Sequence, residues 1–296
     1  MPISENRLWF VTGASRGLGR AFAEAALRSG DQVVATVRRA DALTDLAYEW
    51  GDRLIRRELD VTDRAAVTEL VDDVADTVGT PDIVVNNAGY GLVGATEEIS
   101  EAEARAQFDT NFFGALWVTQ AVLPHLRTAG QGRIVQVSSV GAVGAMEFFG
   151  LYNATKWALE GFSVALAQEV APHGIGVHLL ELGGFATDWF GRSMRFAEEN
   201  GAYDELREGI FAAPRYPDLS DANPAEQGED ATDAPPSIAA ESLLELLELT
   251  DPPLRWVAGP GAKDMVRMAL EARRDDYEKD PGFTWPSGST STETTA

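Results

Sequence analysis

The stretch LYNATKW, residues 151–157, places a tyrosine and a lysine four residues apart. The residues that follow have helical periodicity, so Tyr152 and Lys156 share one face of a predicted helix. A free tyrosine has a pKa near ~10, and an adjacent ammonium group stabilises the phenolate and lowers that pKa. The pair therefore suits a proton donor and the cation that tunes it, although the same spacing also occurs by chance in many helices.

A glycine-rich stretch is the second feature suited to chemistry. FVTGASRGLGRAFAEAAL has Gly13, Gly17 and Gly19 between a predicted strand and a predicted helix. Glycines permit a tight turn and let backbone N–H groups approach a pyrophosphate at a helix N-terminus. The spacing is not the common G-x-G-x-x-G, and Arg20 stands where a P-loop requires Lys-Ser/Thr. Its position after the first strand predicts a phosphate cradle; a simple turn is the alternative.

The elements that must position these residues alternate along the first two-thirds of the chain. Runs of Val, Ile and Leu alternate with amphipathic segments, a pattern typical of a parallel sheet covered on both faces. The predicted strands are RLWFVT, DQVVATV, RLIRREL, PDIVVNN, GRIVQVSS, GIGVHLLEL and a late LRWVAG, and the predicted helices are 18–29, 65–78, 102–126, 152–171 and 262–277. We therefore expect an α/β fold, a Rossmann-type, doubly wound sheet of about seven parallel strands in a single domain over residues 1–296.

Composition limits the functions that the chain can have. Its 296 residues include no cysteine and carry a formal net charge of −23. Disulfides, a thiol nucleophile and a Cys-based metal site are excluded, and His125, His173 and His178 do not form a metal-ligand set, so no metal is expected. The acidity disfavours nucleic acids and anionic membrane surfaces. Without a signal-peptide pattern or a membrane-length apolar run, the expected location is the cytoplasm.

The region after residue 187 differs in composition from the body of the chain. Residues 217–250 contain nine Asp or Glu and no Lys or Arg. The part rich in Pro, Asp, Ala and Gly, about 217–240, predicts an acidic loop insertion, and IAAESLLELLELT predicts an amphipathic helix. We expect segment 187–250 to cover the site as a substrate lid and the tail, about 286–296, to be disordered.

Taken together, the motifs resemble those of the classical short-chain dehydrogenases/reductases. TGASRGLG resembles the cofactor fingerprint of that family, and LDVTD, NNAG, FDTNFFG, IVQVSS and YNATK follow in the family's order. The resemblance covers about residues 7–189. Ser139 precedes Tyr152 by thirteen residues, which matches the spacing of the family's catalytic serine; Ser138 is expected to face the sheet or the cofactor.

The resemblance implies a role for each residue of the site. Tyr152 would be the proton donor, and Lys156 would also hold the nicotinamide ribose hydroxyls. Ser139 would hydrogen-bond the substrate oxygen. Asn111 would fix a water that links Lys156 to solvent, unless it only bridges a helix kink. The implied cofactor residues, besides Tyr152 and Lys156, are Gly13, Ser15, Arg16, Gly17, Leu18, Gly19, Asp60, Val61, Asn87, Ala88, Gly89, Leu182, Gly183 and Thr187.

One position of the sequence departs from the family pattern. Leu182 stands where the family usually has the proline of a Pro-Gly pair. A leucine there leaves one more backbone N–H and makes the turn less rigid. This affects the expected placement of the nicotinamide but not the expected fold.

Basic residues after the second strand predict the cofactor. Val37 stands where an acidic residue would bind the ribose 2′-OH of NAD, and Arg38 and Arg39 follow it. Arginine suits a 2′-phosphate through charge-assisted bidentate bonds, and Arg16 adds a second cation. We therefore predict NADP(H), and reduction as the direction of the reaction; solvated surface arginines are the alternative.

Aromatic residues near the site predict an apolar pocket. Its predicted members are Phe148, Phe149, Phe185, Trp189 and Phe190. Such a pocket suits a hydrophobic ketone or secondary alcohol, although each ring alone could simply join the lid to the body. Two alternatives stay open: another redox step of biosynthesis (ring reduction, epimerisation or oxidative rearrangement), or an NADP(H)-binding sensor without catalysis. We expect a homodimer or homotetramer through the helices that begin near residues 102 and 152.

Overall fold

The computed structural model describes residues 6–185, 194–217 and 234–286. Its strands are β1 (Leu8–Val11), β2 (Gln32–Val37), β3 (Leu54–Glu58), β4 (Ile83–Asn86), β5 (Gly91–Val93), β6 (Gly132–Ser139), β7 (Ile175–Leu182), β8 (Met194–Phe196) and β9 (Arg255–Ala258). Its helices are α1 (Gly17–Arg28), α2 (Thr44–Trp50), α3 (Arg64–Thr77), α4 (Glu101–Phe108), α5 (Gly114–Ala129), α6 (Gly150–Val170), α7 (Asp204–Phe211), α8 (Pro236–Glu248) and α9 (Ala262–Glu278).

Seven of these strands form one sheet, in the order β3-β2-β1-β4-β6-β7-β9. Every neighbouring pair is parallel. The winding reverses between β1 and β4, so their carboxyl ends border a crevice of the kind in which doubly wound sheets bind ligands. The predicted doubly wound, seven-stranded parallel sheet is confirmed.

Helices bury apolar side chains against both faces of this sheet. On one face, Phe22 of α1 and Leu243 of α8 pack with Val11 of β1. The other face of the sheet is covered by Val67 of α3, Val118 of α5 and Leu166 of α6. Helix α8 is the amphipathic helix predicted near residue 240, but it packs on α1 and covers the sheet. The part of segment 187–250 that forms α8 is therefore not a lid over the site, because its leucines are buried in the main core.

The predicted helix 102–126 is divided in two. Ser100 and Glu103 form a capping box at the start of α4, and a π-helical turn, Asp109–Phe113, separates α4 from α5. A π turn adds one residue to the helical repeat and is frequent at functional sites. Asn111 lies in this turn.

A small second sheet fastens the segment 194–217 to the body. Strands β5 and β8 pair in parallel, and Phe148 is buried among Tyr203, Phe211 and Tyr216. Beside them Arg207 of α7 and Glu98 form an ion pair in which both side chains are fully buried. Local periodicity did not predict this sheet, because its strands are three residues long.

Two predicted regions fall largely outside the described residues, namely most of the acidic insertion 217–240 and nearly all of the tail 286–296. Within the described ranges, no helix is long and apolar enough to span a membrane. The same ranges contain no cluster of His, Cys, Asp or Glu that could hold a metal ion.

Candidate active site

The turn between β1 and α1 is held in a form that only glycine fits. Gly13 and Gly17 have φ angles of +65° and +54°. A Cβ atom on Gly19 would lie 2.4 Å from both Asn87 Nδ2 and the Gly13 oxygen. Asn87 Nδ2 donates to the backbone oxygens of Thr12 (2.9 Å) and Gly13 (3.2 Å). The turn is therefore tied to the end of β4, with the first turn of α1 at the crevice.

A cavity of about 1690 Å³ opens at the carboxyl ends of β1, β4, β6 and β7. It is large enough for a dinucleotide and a small substrate together. The structure brings most of the predicted site residues to its wall: Gly13, Ser15, Arg16, Gly17, Leu18, Gly19, Arg38, Asp60, Val61, Asn87, Ala88, Gly89, Ser139, Phe149, Tyr152, Lys156, Leu182, Gly183 and Phe185. The glycine turn, which has no room for Cβ atoms, lies at one end of this cavity, and Tyr152 lies at the other. This arrangement fits a bound nicotinamide dinucleotide.

The two serines at the end of β6 have different surroundings. The Ser139 hydroxyl hydrogen-bonds to Tyr152 and accepts a bond from the Gly141 N–H (3.1 Å). The Ser138 hydroxyl is buried and donates to Glu160 Oε1 (2.8 Å). Ser139 is thus the serine that contacts Tyr152, in line with the residue spacing.

Burial determines the ionisation of the tyrosine and lysine. It raises the pKa of Tyr152 to about 12, and the hydrogen bond from Ser139 opposes this only in part. It lowers the pKa of Lys156 to about 8, against the attraction of Glu160. Lys156 Nζ donates to the Val137 oxygen (2.7 Å) and lies 5.8 Å from the centre of the Tyr152 ring. In this structure the pKa of Tyr152 is therefore raised and not lowered as expected, because desolvation outweighs the hydrogen bond with Ser139.

Asn111 does not reach the cavity. Its Nδ2 donates to the backbone carbonyl oxygen of Tyr90 (2.9 Å) and to Thr155 Oγ1 (3.2 Å). Its Oδ1 accepts from the backbone N–H of Tyr90 (3.0 Å). The Thr155 hydroxyl in turn donates to the backbone carbonyl oxygen of Tyr152 (2.7 Å). The side chain therefore ties the π turn to α6, as in the helix-kink alternative. The role of Asn111 in fixing a water that links Lys156 to solvent stays a prediction.

The two arginines after β2 point in different directions. Arg38 is exposed and lines the cavity beside Thr36 and Val37. Arg39 pairs with Asp41 (Nη2–Oδ2 2.7 Å) and does not line the cavity. The predicted contact of Arg39 with the cofactor is thus not supported, because successive side chains of an extended backbone alternate in direction.

The predicted pocket aromatics also divide. Phe149 and Phe185 are buried and contribute to the wall of the cavity. Phe148 does not; it has a φ of +65° and packs inside the cluster that joins 194–217 to the body. Its predicted pocket role is corrected to a structural one. Thr187, Trp189 and Phe190 lie outside the described residues.

Helix α9 supplies a wall that was not predicted. Met265, Met268, Ala269 and Ala272 line the cavity. Arg273 holds the helix in place: its Nη2 donates to the Val143 oxygen (2.6 Å), and its guanidinium lies 4.4 Å from the Trp157 ring centre. The signal for this wall was available, since the four small or thioether residues follow the i, i+3, i+4, i+7 spacing of one helix face.

Comparisons with known proteins identify the family of the chain. A family model described as short chain dehydrogenase matches residues 7–197. The chain is 39% identical over 274 residues to "Oxidoreductase BOA17" of Botryotinia fuckeliana, over 92% of this chain and 96% of that protein. A crystal structure of a short-chain dehydrogenase from Streptomyces avermitilis superposes with a TM-score of 0.81 at 38% identity, covering 94% and 96% of the two chains. An alcohol dehydrogenase from Thermococcus sibiricus, complexed with 5-hydroxy-NADP, gives a TM-score of 0.68 at 25% identity, covering 86% and 97%.

The strand order, the glycine cradle and the Ser139–Tyr152–Lys156 arrangement define a Rossmann-type oxidoreductase. The extent of the family match and the identity to whole-length relatives fix the family. This chain belongs to the short chain dehydrogenase family, the classical short-chain dehydrogenases/reductases.

Proposed function

We propose that this protein is an NADP(H)-dependent enzyme that reduces the carbonyl group of a hydrophobic small molecule, or oxidises the matching secondary alcohol. One observation carries the proposal. Ser139 is hydrogen-bonded to Tyr152, with Lys156 one helical turn away, in the same cavity as the glycine cradle. A hydroxyl pair and an ammonium group at one end of a dinucleotide-sized cavity suit proton transfer to a substrate oxygen.

The bound cofactor would supply a hydride to the carbonyl carbon, which leaves negative charge on the carbonyl oxygen. Tyr152 gives its phenolic proton to that oxygen, and its raised pKa keeps the proton available at neutral pH. Ser139 donates a hydrogen bond to the same oxygen and stabilises the developing charge. Lys156, charged below its pKa of about 8, stabilises the phenolate that remains. It is also the residue that would hold the nicotinamide ribose hydroxyls of a bound cofactor.

Charge supports NADP(H) over NAD(H). Arg38 lines the cavity beyond the end of β2 with its guanidinium exposed, and Val37 provides no carboxylate for a ribose 2′-OH. Arg16 lines the cavity from the glycine turn. Two cations here, in a chain of net charge −23, favour a 2′-phosphate. The 5-hydroxy-NADP held by the Thermococcus sibiricus enzyme agrees, but at 25% identity the local charge is the stronger argument.

The cavity wall near Tyr152 supports an apolar substrate. Phe149 and Phe185 line it from the body, and Met265 and Met268 line it from α9. Thioether side chains are flexible and adapt to irregular apolar shapes. We infer a bulky or extended hydrophobic ketone as the substrate class.

The test is a ketone panel with NADPH as the reductant. Purified protein is assayed by the loss of NADPH absorbance on aliphatic, aromatic and polycyclic ketones, and the alcohol product is identified by mass spectrometry. Tyr152→Phe should lower kcat by about 10²–10⁴-fold, the usual range for loss of a general acid, with NADPH affinity nearly unchanged. Tyr48→Phe is the matched control, because Tyr48 is 95% exposed on α2. Turnover by Tyr152→Phe at the wild-type rate, or tight NADPH binding without reduction of any ketone, would contradict the proposal.

A further inference from the structure

Two buried carboxyl groups lie next to the catalytic residues and are not used in the mechanism above. Glu160 of α6 is 6% exposed and Glu181 of β7 is 1% exposed. Both approach the side chain of Arg255 on β9, whose Nε lies 3.3 Å from Glu160 Oε2 and 3.2 Å from Glu181 Oε1. One guanidinium nitrogen is thus shared by two acids that burial keeps from water.

The pair is connected to both ends of the catalytic set. Glu160 lies one helical turn after Lys156, and its Oε1 accepts the Ser138 hydroxyl (2.8 Å). In the sheet, Ser138 is paired with Glu181, and the next pair joins Ser139 to Leu182. The charge of Glu160 therefore acts on the Lys156 ammonium through space, and the Ser138 hydroxyl links Glu160 to the end of β6, beside Ser139.

The balance of charge around the two carboxyls disfavours double ionisation. Among the described residues, the charged groups that face the pair are Lys156 from α6 and Arg255 from β9, while β6 contributes the neutral Ser138. The Arg255 side chain is 46% exposed, so water screens it, and Glu181 Oε1 accepts no aligned hydrogen bond from the described residues. Burial raises the pKa of both acids, and repulsion by Glu160 contributes to a Glu181 pKa of about 7.

We propose that Glu160 and Glu181 share one proton at neutral pH and act as a positioning pair that keeps Lys156 charged and the end of β6 in place. As the pH rises, the pair releases its proton, and its full negative charge then supports the ammonium of Lys156. The catalytic consequence rests on the role proposed for Lys156; the shared proton itself does not.

The shared proton has a direct test that needs neither substrate nor cofactor. The C=O stretch of a protonated carboxyl group is separate from the carboxylate bands in infrared spectra. Wild-type protein should keep such a band up to about pH 7. Glu181→Gln should abolish it, because Arg255, Lys156 and the Ser138 hydroxyl favour the ionised form of the remaining Glu160. Glu160→Gln should move the loss of the band to lower pH, because burial of Glu181 remains but the repulsion by Glu160 is removed. Glu248→Gln on α8, at an exposed position, is the control and should retain the band. A wild-type spectrum without this band at pH 6, or a band that neither substitution changes, would overturn the proposal.

The second test is the pH profile of the NADPH-dependent reduction. Glu160→Gln should move the loss of kcat/KM at high pH downwards by about one unit, roughly a tenfold loss there, with a smaller loss at pH 6. Glu248→Gln, the exposed control on α8, should keep the wild-type profile. A merely structural role would lower activity equally at every pH and would contradict the charge argument. Absence of turnover with the infrared band intact would point to failure of the proposed function instead.

Discussion

The side chains of Tyr152 and Lys156 are both buried, and burial shifts their pKa values in opposite directions. The tyrosine thereby keeps its proton and the lysine comes close to losing its own near neutral pH. A neutral Tyr152 phenol, next to a Lys156 ammonium group that holds its proton weakly, is better suited to donate a proton to an alkoxide than to remove a proton from an alcohol. At the scale of single residues, these pKa shifts fit the proton-donor role proposed for Tyr152 in a reduction.

The stability of the fold should report the ionisation of Glu181. Its folded pKa of about 7 lies above the ordinary value of 4.5. A carboxyl with a raised folded pKa destabilises the folded state as it ionises, so the penalty is absent below about pH 4.5 and complete above about pH 7. Glu181→Gln should raise the free energy of unfolding by roughly 1–3 kcal/mol at pH 8 and hardly at pH 4. Urea denaturation across this range measures it; a gain independent of pH would contradict the assignment.

Several residue-scale features were predictable and others were not. The thirteen-residue spacing to Tyr152 favoured Ser139 over Ser138. The four-residue spacing between Tyr152 and Lys156 predicted that they share one face of a helix. The direction of the Tyr152 pKa shift was not predictable, because burial depends on contacts distant in sequence. The alternation of Arg38 and Arg39 follows from the extended backbone and could have been anticipated.

At the scale of elements, the β1–α1 turn should not tolerate even one methyl group. Gly19→Ala would bring Cβ to 2.4 Å from Asn87 Nδ2 and from the Gly13 oxygen. We expect a loss of NADPH affinity of at least about tenfold, because the turn must open and its N–H groups move. Gly209→Ala in α7 is the control, since nothing lies within 4 Å of a Cβ there. Titration of NADPH against both variants checks this, and unchanged affinity in Gly19→Ala would contradict the cradle.

The buried Arg207–Glu98 pair should determine how firmly segment 194–217 is attached. Arg207 also donates to the Asn200 oxygen (2.7 Å) and the Pro214 oxygen (2.9 Å). Arg207→Met leaves the Glu98 carboxylate buried without its partner and should cost about 3–5 kcal/mol. The double variant Arg207→Met/Glu98→Gln should recover part of that loss, as chemical denaturation would show. Equal stability of the single variant and wild type would mean that the pair contributes little.

The regular elements were predictable because their periodicity is local. The strands of the main sheet are Val- and Ile-rich, and α1, α3, α6 and α9 each show an apolar stripe. The π turn at Asn111 and the pairing of β5 with β8 were not predictable, because both depend on contacts between distant segments. Helix α8 was predicted as a helix but assigned to the wrong place, since amphipathicity does not say which surface a helix covers.

At the scale of the whole molecule, the π turn together with α5 and α6 forms an aromatic cluster that is partly exposed. Phe113 is 36% exposed and stacks on Trp117 at 5.6 Å, and Phe112 contacts Phe162. We propose that this aromatic cluster joins copies of the chain into a homodimer or homotetramer. Phe113→Glu should lower the mass measured by light scattering, whereas Tyr48→Glu, a control at an exposed aromatic, should not. An unchanged mass for Phe113→Glu would argue against this interface.

The overall architecture and the family could be recognised from six ordered motifs, and the fold agrees with both. The face of α9 that lines the cavity is visible in its residue spacing, but the position of α9 against the site is not. That position depends on contacts between distant residues, such as those of Arg273 with Val143 and Trp157. The substrate class therefore depends on packing between the carboxy-terminal helix and the β6–α6 connection, which no local pattern specifies.

The most direct test of the proposed function is the choice between NADPH and NADH. Energy transfer from the protein's tryptophans to the reduced nicotinamide gives the Kd of each in wild type, Arg38→Asp and Arg39→Asp. We predict a clear preference of wild type for NADPH, a loss of NADPH affinity of about 10–100-fold in Arg38→Asp, and little change in Arg39→Asp, whose side chain faces away from the cavity. Equal affinities in wild type, or a preference for NADH, would contradict the NADP(H) assignment.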